Sequence, residues 1–319
     1  MAERRGSSPR AVEKPAGKPR FTSGRECWVF RAAEPAQLCG HHPELIASAL
    51  AAGEPLLYLL YSPIFDAKDG PFRVGGAPGS HAVGITPHRL LVSRDPHGGP
   101  LPRSVTGIDL AIVSSLQIGC ALALGWFVIR FSGPQGSGTC PVLFGGQGMD
   151  HFRAVVRAYR GLGGELRVGG APSLDWPDVW KGVPPYLRTE LEPLIDQRER
   201  PLAVLRSPER WTTEIRLWRR RPVCSSAAGL LVATSRGLLW AASEPRIKPE
   251  GLSFGVNVTV VRPERVSDAA ILTREGIGVL RLQAGDRPKP HTMEVLLDVE
   301  DVASAEEVVR LARAWRGRA

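Results

Sequence analysis

Short apolar runs separated by Gly, Pro and Asp recur along the chain, and this pattern is typical of β-strands joined by turns. In the first half, such runs predict strands at 56–61, 81–86, 89–93 and 121–131. In the second half, they predict strands at 202–206, 229–234, 237–242, 253–261, 266–272, 276–282 and 293–299. Strands therefore dominate both halves of the chain.

Helical periodicity occurs where each half begins and ends. Short helices are predicted at 43–52 and 186–197. Around 152–161, apolar residues recur at Phe152, Val155, Val156 and Tyr159, which places them on one helix face. The C-terminal segment shares this amphipathic pattern, through Val302, Val308, Val309, Leu311, Ala312 and Trp315. Each half is thus predicted to end in an amphipathic helix, stopped by Gly161 or Gly317.

The two halves also resemble each other in sequence. Four blocks match in the same order: 54–63 with 199–208, 82–91 with 230–239, 125–131 with 276–282, and 152–161 with 308–317. The offset grows slowly from 145 to 148, 151 and 156. Loop insertions between two copies of one unit produce such a series, so we interpret the chain as an internal duplication.

One hairpin carries a family resemblance. The segments GITPHRLLVS at 84–93 and VATSRGLLWA at 232–241 resemble the "vTsxRLll" hairpin of bacterial pleckstrin-homology-like (PH-like) and GRAM domains. Those families also close with a helix that bears a core aromatic residue, which Tyr159 and Trp315 match. The resemblance implies an α+β chain of two PH-like split β-barrels of seven strands. Each barrel would be closed by its C-terminal α-helix, and the two would be related by internal duplication.

These patterns divide the chain into four parts. Residues 1–26 form a basic tail, which we expect to be disordered because it is rich in Pro, Gly and Ser and lacks apolar periodicity. The first PH-like domain is expected at 27–162 and the second at 186–319. Residues 163–185 form a linker with five Gly and four Pro. Its Trp176 and Trp180 either dock on a domain face or form a recognition motif, and docking is favoured because exposed Trp is unfavourable.

Residues 110–129 are uncharged and long enough to span a bilayer as a helix. Polar and Gly residues interrupt them, and Leu116, Ile118 and Cys120 alternate with Gln117 and Gly119 at strand period. The matching stretch 261–280 carries six charged residues, which a bilayer disfavours. We therefore expect a pair of strands here and favour no transmembrane span.

Composition and charge narrow the class of protein. The 319 residues are 43% hydrophobic and 23% charged, which excludes wholesale disorder and a collagen-like chain. Of the net charge of +9, +5 belongs to residues 1–25, which hold seven basic and two acidic residues. Overall basicity is therefore weak evidence for a nucleic-acid partner. The tail is either a solvated segment or an electrostatic arm for anionic lipid or nucleic acid.

The strongest local charge feature is the segment 216–221. Its candidate anion- or lipid-binding residues are Arg216, Trp218, Arg219, Arg220 and Arg221. Guanidinium groups bind phosphate bidentately, and Trp suits a membrane interface. The resemblance places the segment between the first two strands of the second domain, where lipid-binding relatives carry spaced basic residues, although this segment has no Lys. A solvated cluster that protects a sheet edge is the alternative interpretation.

No catalytic, cofactor or metal site is predicted. Phosphate-loop, zinc-protease and nucleophile-elbow motifs are absent from the sequence, and its five Cys include no C-x-x-C pair. His41 and His42 lack enough converging ligands for a metal, and we expect them to be solvated. The sequence therefore predicts a non-enzymatic cytoplasmic binding or scaffold protein. Its partner would be a protein or an anionic membrane surface, with peripheral attachment at the inner membrane left open, and the alternative is nucleic acid.

Overall fold

The computed structural model describes residues 28–63, 79–96, 102–121, 123–134, 136–165, 174–216, 219–243, 255–274, 276–286 and 290–317, and within 211–225 it describes only the backbone. The predicted tail 1–26 lies outside this part of the chain. The described part is mixed α+β and built mainly of antiparallel sheets, which confirms the predicted class.

The first half contains eight described strands and two helices. The strands are β1 (Phe30–Arg31), β2 (Tyr58–Ser62), β3 (Gly79–Ile85), β4 (Arg89–Pro96), β5 (Ser104–Asp109), β6 (Val113–Ala121), β7 (Leu124–Gly133) and β8 (Gly136–Gly145). The helices are α1 (His42–Ala49) and α2 (Met149–Leu162).

The second half adds nine described strands and three helices. The helices α3 (Trp176–Trp180) and α4 (Pro185–Leu191) come first, and α5 (Val302–Arg316) comes last. The strands between them are β9 (Pro201–Ser207), β10 (Arg210–Arg216), β11 (Arg219–Ser226), β12 (Gly229–Thr234), β13 (Gly237–Ser243), β14 (Gly255–Val261), β15 (Val266–Arg274), β16 (Ile277–Ala284) and β17 (His291–Leu297).

The halves repeat one order of elements. In the first, β2-β3-β4-β5 form a meander, β6-β7-β8 form a second meander, and α2 follows. In the second, β9-β12-β13-β14 and β15-β16-β17 follow the same plan before α5, and the hairpin β10–β11 is inserted after β9. Each half therefore has a four-strand meander, a three-strand meander and a closing helix, and in the first half β1 adds a fifth strand beside β2.

The two halves share one sheet. Strand β14 of the second half pairs antiparallel with β6 of the first, from Gly255 opposite Ala121 to Val260 opposite Leu116. This pairing joins three strands of the first half and four of the second in the order β8-β7-β6-β14-β13-β12-β9. A hydrogen-bonded strand ladder thus joins the two halves.

Side chains alternate between two apolar layers along each strand, as the strand period requires. In β12, Leu231 and Ala233 enter the core beneath α5, while Leu230 and Val232 face the layer that contains α4. Trp315 of α5 is 1% exposed and is the largest side chain in the second core. The strand period therefore places alternate side chains of one sheet in two separate cores.

The closing helix of the first half is held by aromatic packing. Phe152 of α2 stacks on Phe144 with ring centroids 3.9 Å apart, and it lies 5.5 Å from the Phe127 ring. Val155, Val156 and Tyr159 are also fully buried. The predicted amphipathic face of α2 is confirmed.

The linker contains a helix that the sequence analysis did not find. Trp176 and Trp180 of α3 stack with centroids 5.5 Å apart and pack against the main apolar cluster. The Trp176 indole N–H donates to the Glu199 carbonyl at 2.8 Å. Docking of the two Trp residues is therefore confirmed.

Residues 113–133 form the expected pair of antiparallel strands rather than one helix. The strand predicted at 121–131 corresponds to β7, which begins three residues later, at Leu124, because β6 ends at Ala121. The sequence offset of 151 for this block is wrong by two residues. Ser132 N–H bonds to the Ile112 carbonyl as Gly285 N–H bonds to the Arg265 carbonyl, which gives an offset of 153. A two-residue slip keeps every side chain on its face, so the apolar pattern does not detect it.

Candidate functional site

The arginine cluster predicted at 216–221 lies at the end of the inserted hairpin. The register places Arg216 opposite Arg219, Ile215 opposite Arg220 and Glu214 opposite Arg221. Trp218 lies outside the described residues, and the structure describes only the backbone of the four arginines. The hairpin follows β9 and precedes β12, which is the position expected between the first two sheet strands of the second half.

The pairing of Arg216 with Arg219 is electrostatically unfavourable by itself. Like charges directly opposite each other destabilise a strand pair by a few tenths to about 1 kcal/mol. Arg220 and Arg221 add two further positive charges at adjacent positions, and Glu214 is the only acidic residue in these three facing pairs.

A second basic cluster surrounds a pocket between the halves, and the sequence analysis did not single it out. The pocket has a volume of about 310 Å³. Its lining residues are Arg157, Arg160, Leu194, Asp196, Gln197, Arg198, Glu199 and Arg236. The four arginines outnumber the two carboxylates. The four arginines are spread over positions 157–236, so charge patterning in the sequence gave little signal for the cluster.

Three segments meet at this pocket, and Arg160 links them. Arg160 lies in the last turn of α2, and its Nη1 donates to the Leu194 carbonyl. Its Nη2 donates to the Glu199 carboxylate and, at 3.4 Å, to Thr234 Oγ1. The Arg160 and Glu199 side chains are 2% and 0% exposed. Burial lowers the pKa of Arg160, and the Glu199 carboxylate counteracts this effect. This ion pair holds the closing helix of the first half to the second half.

The other arginines are closer to solvent. Arg236 donates to Asp196 Oδ2 at 3.1 Å, and Arg157 donates to the Pro193 carbonyl at 2.7 Å. Arg157 and Arg198 are exposed. The Nε atoms of Arg160 and Arg236 are buried and have no hydrogen-bond partner in the described part of the chain. The pocket therefore has an excess of positive charge, which suits a small anion.

The first half contains a counterpart of the Glu199 cluster. Glu54 accepts a hydrogen bond from Ala51 N–H as Glu199 does from Asp196 N–H. The partner of Glu54 is Arg89 of its own half, whose Nε donates at 3.0 Å. The hydrogen bonds from Arg89 lower the pKa of Glu54 to about 2. The glutamate is thus repeated, while only the second copy uses its ion pair to connect the halves.

His42 is buried, so the expectation that it is solvated is wrong. Its Nδ1 lies 2.7 Å from Ser93 Oγ, and its Nε2 lies 2.9 Å from Ser80 Oγ. Burial lowers the pKa of His42 to about 4, and that of the buried His81 to about 3. His42 and Ser93 are 0% exposed and Ser80 is 8% exposed. We therefore assign this cluster a structural role.

Comparison with protein-family models returns no match, and comparison with curated proteins returns none either. Among the described residues, none of the helices has the length and hydropathy needed to cross a membrane. The same residues include no group of three or more His, Cys, Asp or Glu side chains arranged to hold a metal ion.

Proposed function

We propose that the chain consists of two tandem PH-like domains that arose by internal duplication. The shared order of four strands, three strands and a closing helix supports this proposal. So do the matching turns that end in Glu54 and Glu199, each three residues after the amide that its carboxylate caps. The early helices α1 and α4 also correspond, because each packs on the last two strands of its four-strand meander, β4 and β5 or β13 and β14.

On this framework, the chain is a non-enzymatic binding protein whose ligand is an anionic membrane surface. The carrying observation is the register of the hairpin β10–β11, which concentrates Arg216, Arg219, Arg220 and Arg221 at one end. A membrane bearing anionic lipids offers many phosphates to such a cluster without requiring a deep site. The protein would then act at the cytoplasmic face of the inner membrane. The free thiols of Cys39, Cys120 and Cys140 fit a reducing compartment.

Vesicle flotation tests this function. The full chain is mixed with phosphatidylcholine vesicles, with or without phosphatidylserine, and recovery in the floating fraction is measured. We expect recovery to depend on phosphatidylserine. Each basic residue near an anionic surface contributes about 1 kcal/mol, so Arg219→Ala/Arg221→Ala should weaken partitioning roughly 30-fold.

The matched control removes the same charge elsewhere. Arg103 and Arg188 are about half exposed and lie outside the hairpin, so Arg103→Ala/Arg188→Ala should change partitioning little. Equal recovery with both vesicle types contradicts the membrane function. A variant lacking residues 1–26 separates the hairpin from the tail, because loss of all binding in that variant assigns the attraction to the tail instead.

The same preparation distinguishes the nucleic-acid alternative. If the chain shifts RNA or DNA in a gel at low salt, with an affinity that falls steeply as salt rises, and does not float with anionic vesicles, then nucleic acid is the ligand. If neither ligand binds, a protein partner remains as the proposed ligand of the two domains.

A further inference from the structure

The two halves are joined by one kind of strand pairing, and this pairing occurs once in the described part of the chain. The last strand of the four-strand meander in the second half, β14, pairs with the first strand of the three-strand meander in the first half, β6. The reciprocal strands are β5, which ends the four-strand meander of the first half, and β15, which begins the three-strand meander of the second. In the described part of the chain, β5 pairs only with β4, and β15 pairs only with β16. Neither strand has a second strand partner there, although α5 packs against β15 and Arg316 Nη1 donates to the Ser267 carbonyl.

The residues of β5 can be aligned with those of β14, and the residues of β15 with those of β6. The ladders place Ile108 opposite Leu90 and Val261 opposite Leu238, so β5 corresponds to β14 at an offset of 153. Val105 and Thr106 then correspond to Val258 and Thr259, which are identical residue types. Val105 and Thr106 of β5 are therefore the counterparts of Val258 and Thr259, which lie in the junction between β14 and β6.

Strands β6 and β15 correspond at the same offset of 153. Their two-residue turns follow Ala121 in β6 and Arg274 in β15, so Ile271 corresponds to Ile118, again an identical residue type. In the junction, Val258 lies directly opposite Ile118. The corresponding pair on β5 and β15 is Val105 and Ile271.

Exposure differs sharply between the two sets. Val258 is 1% and Ile118 is 2% exposed in the junction. Val105 is partly exposed, and Ile271 is 36% exposed and belongs to the small group of exposed large apolar side chains in the described chain. A strand edge without a strand partner favours pairing with another strand, and β-branched residues such as Val105 and Ile271 suit a strand.

The backbone of β5 is ready for such pairing. Leu110 N–H donates to the carbonyl of His88, the residue before β4, and hydrogen-bonding direction alternates along an antiparallel strand. The amides of Val105 and Gly107 therefore point away from β4, towards the opposite edge of β5. No Pro interrupts β5 or β15.

From this complementarity we propose that β5 of one copy of the chain pairs antiparallel with β15 of a second copy, with Val105 opposite the partner's Ile271. The proposed assembly repeats the contact between β14 and β6 across chains. Because every copy carries both edges, two copies can close a symmetric dimer, or more copies can close a ring. The partner is thus a second copy of this chain.

Light scattering coupled to size exclusion, over a range of protein concentrations, tests the proposal. We expect a mass that is a whole multiple of the 34.5 kDa chain. Ile271→Lys and Val105→Lys should each raise the dissociation constant at least tenfold, because each buries a charge at the pairing edge. Val299→Lys is the control, since Val299 is a 92% exposed apolar residue outside both strands.

Cross-linking tests the register without relying on loss of association. Facing hydrogen-bonded residues in an antiparallel pair have Cα atoms about 5.5 Å apart, within the range of a disulfide. Val105→Cys/Ile271→Cys should therefore form covalent oligomers on oxidation, well above the level of either single variant or the parent chain. Circular dichroism confirms that each variant is folded.

The outcomes are decisive. A chain that stays monomeric at all concentrations overturns the proposal. Oligomers that persist in both lysine variants, or that Val299→Lys disrupts equally, overturn the assigned edges. Selective loss in the two edge variants, together with the cross-link in the double cysteine variant, supports it. None of these results depends on whether the hairpin binds membranes.

Discussion

The buried ion pair between Arg160 and Glu199 leads to a quantitative prediction. Glu199→Gln keeps the shape of the side chain but removes its charge. The guanidinium of Arg160, whose side chain is 2% exposed, then remains in the interior without a counter-charge. Removing one partner of a buried pair costs about 3–5 kcal/mol, and we expect a loss of this size in the free energy of unfolding.

The equivalent glutamate of the first half provides the matched control. Glu54→Gln removes the same charge from the pair with Arg89, whose side chain is 30% exposed. Water can solvate the guanidinium there, so the cost should be about 1 kcal/mol or less. The two substitutions differ in the burial of the arginine that is left without its partner.

Urea denaturation followed by circular dichroism measures the two losses, and hydrogen exchange of the amides at 194–199 reports the site itself. The variant Arg160→Met/Glu199→Gln should recover part of the stability lost in Glu199→Gln, because it removes both buried charges. The reasoning is refuted if Glu199→Gln costs no more than Glu54→Gln, or if the double variant is less stable than Glu199→Gln.

Three further predictions concern the core, a turn and pH. Trp315→Ala should cost about 3–5 kcal/mol, because this buried side chain fills the second core. Gly237→Ala should destabilise the chain more than Gly276→Ala. Gly237 has a φ of +118° and a Cβ there would clash with the Val261 carbonyl oxygen, whereas a Cβ at Gly276 meets open space. Burial lowers the pKa of His42 to about 4, so its contribution of about 3 kcal/mol is present above pH 6.5 and is lost as pH falls towards 4.

The measurements are equally direct. Hydrogen exchange should show that Trp315→Ala accelerates exchange in the second half first, and uniform acceleration would contradict this. Equal melting temperatures for the two glycine variants would contradict the close contact at Gly237. For pH, the stability of His42→Gln should depend less on pH between 6.5 and 4 than that of the parent, and an unchanged slope would show that His42 does not titrate there.

The fold class could be inferred from sequence because it depends on local periodicity. The strand period and the helical spacing of Phe152, Val155, Val156 and Tyr159 are properties of short segments, and the structure confirms them. The repeat was detectable for the same reason. The strands β5 and β8 escaped detection because they are exposed and rich in Gly, Ser and Thr, so they lack a clear apolar run.

The sites were less accessible to sequence reasoning. The arginines at 216–221 are adjacent in the chain and were found as a charge cluster. Arg160 and Glu199 are 39 residues apart, and each alone resembles an ordinary surface charge. Their burial depends on the docking of α2 against the second half. The buried state of His42 depends similarly on Ser80 and Ser93, which other strands contribute.

The amino-acid sequence by itself determined which segments form strands and helices, which face of each is apolar, and that the halves share a plan. Only the tertiary structure decided that β14 joins β6 in one sheet, that Arg160 pairs with Glu199 across the halves, and that β5 and β15 each have one strand partner in the described part of the chain. The physical reason is the distance along the chain over which each interaction acts. Periodicity and propensity act within a few residues, whereas strand register and ion pairing depend on segments that meet only after the chain has folded.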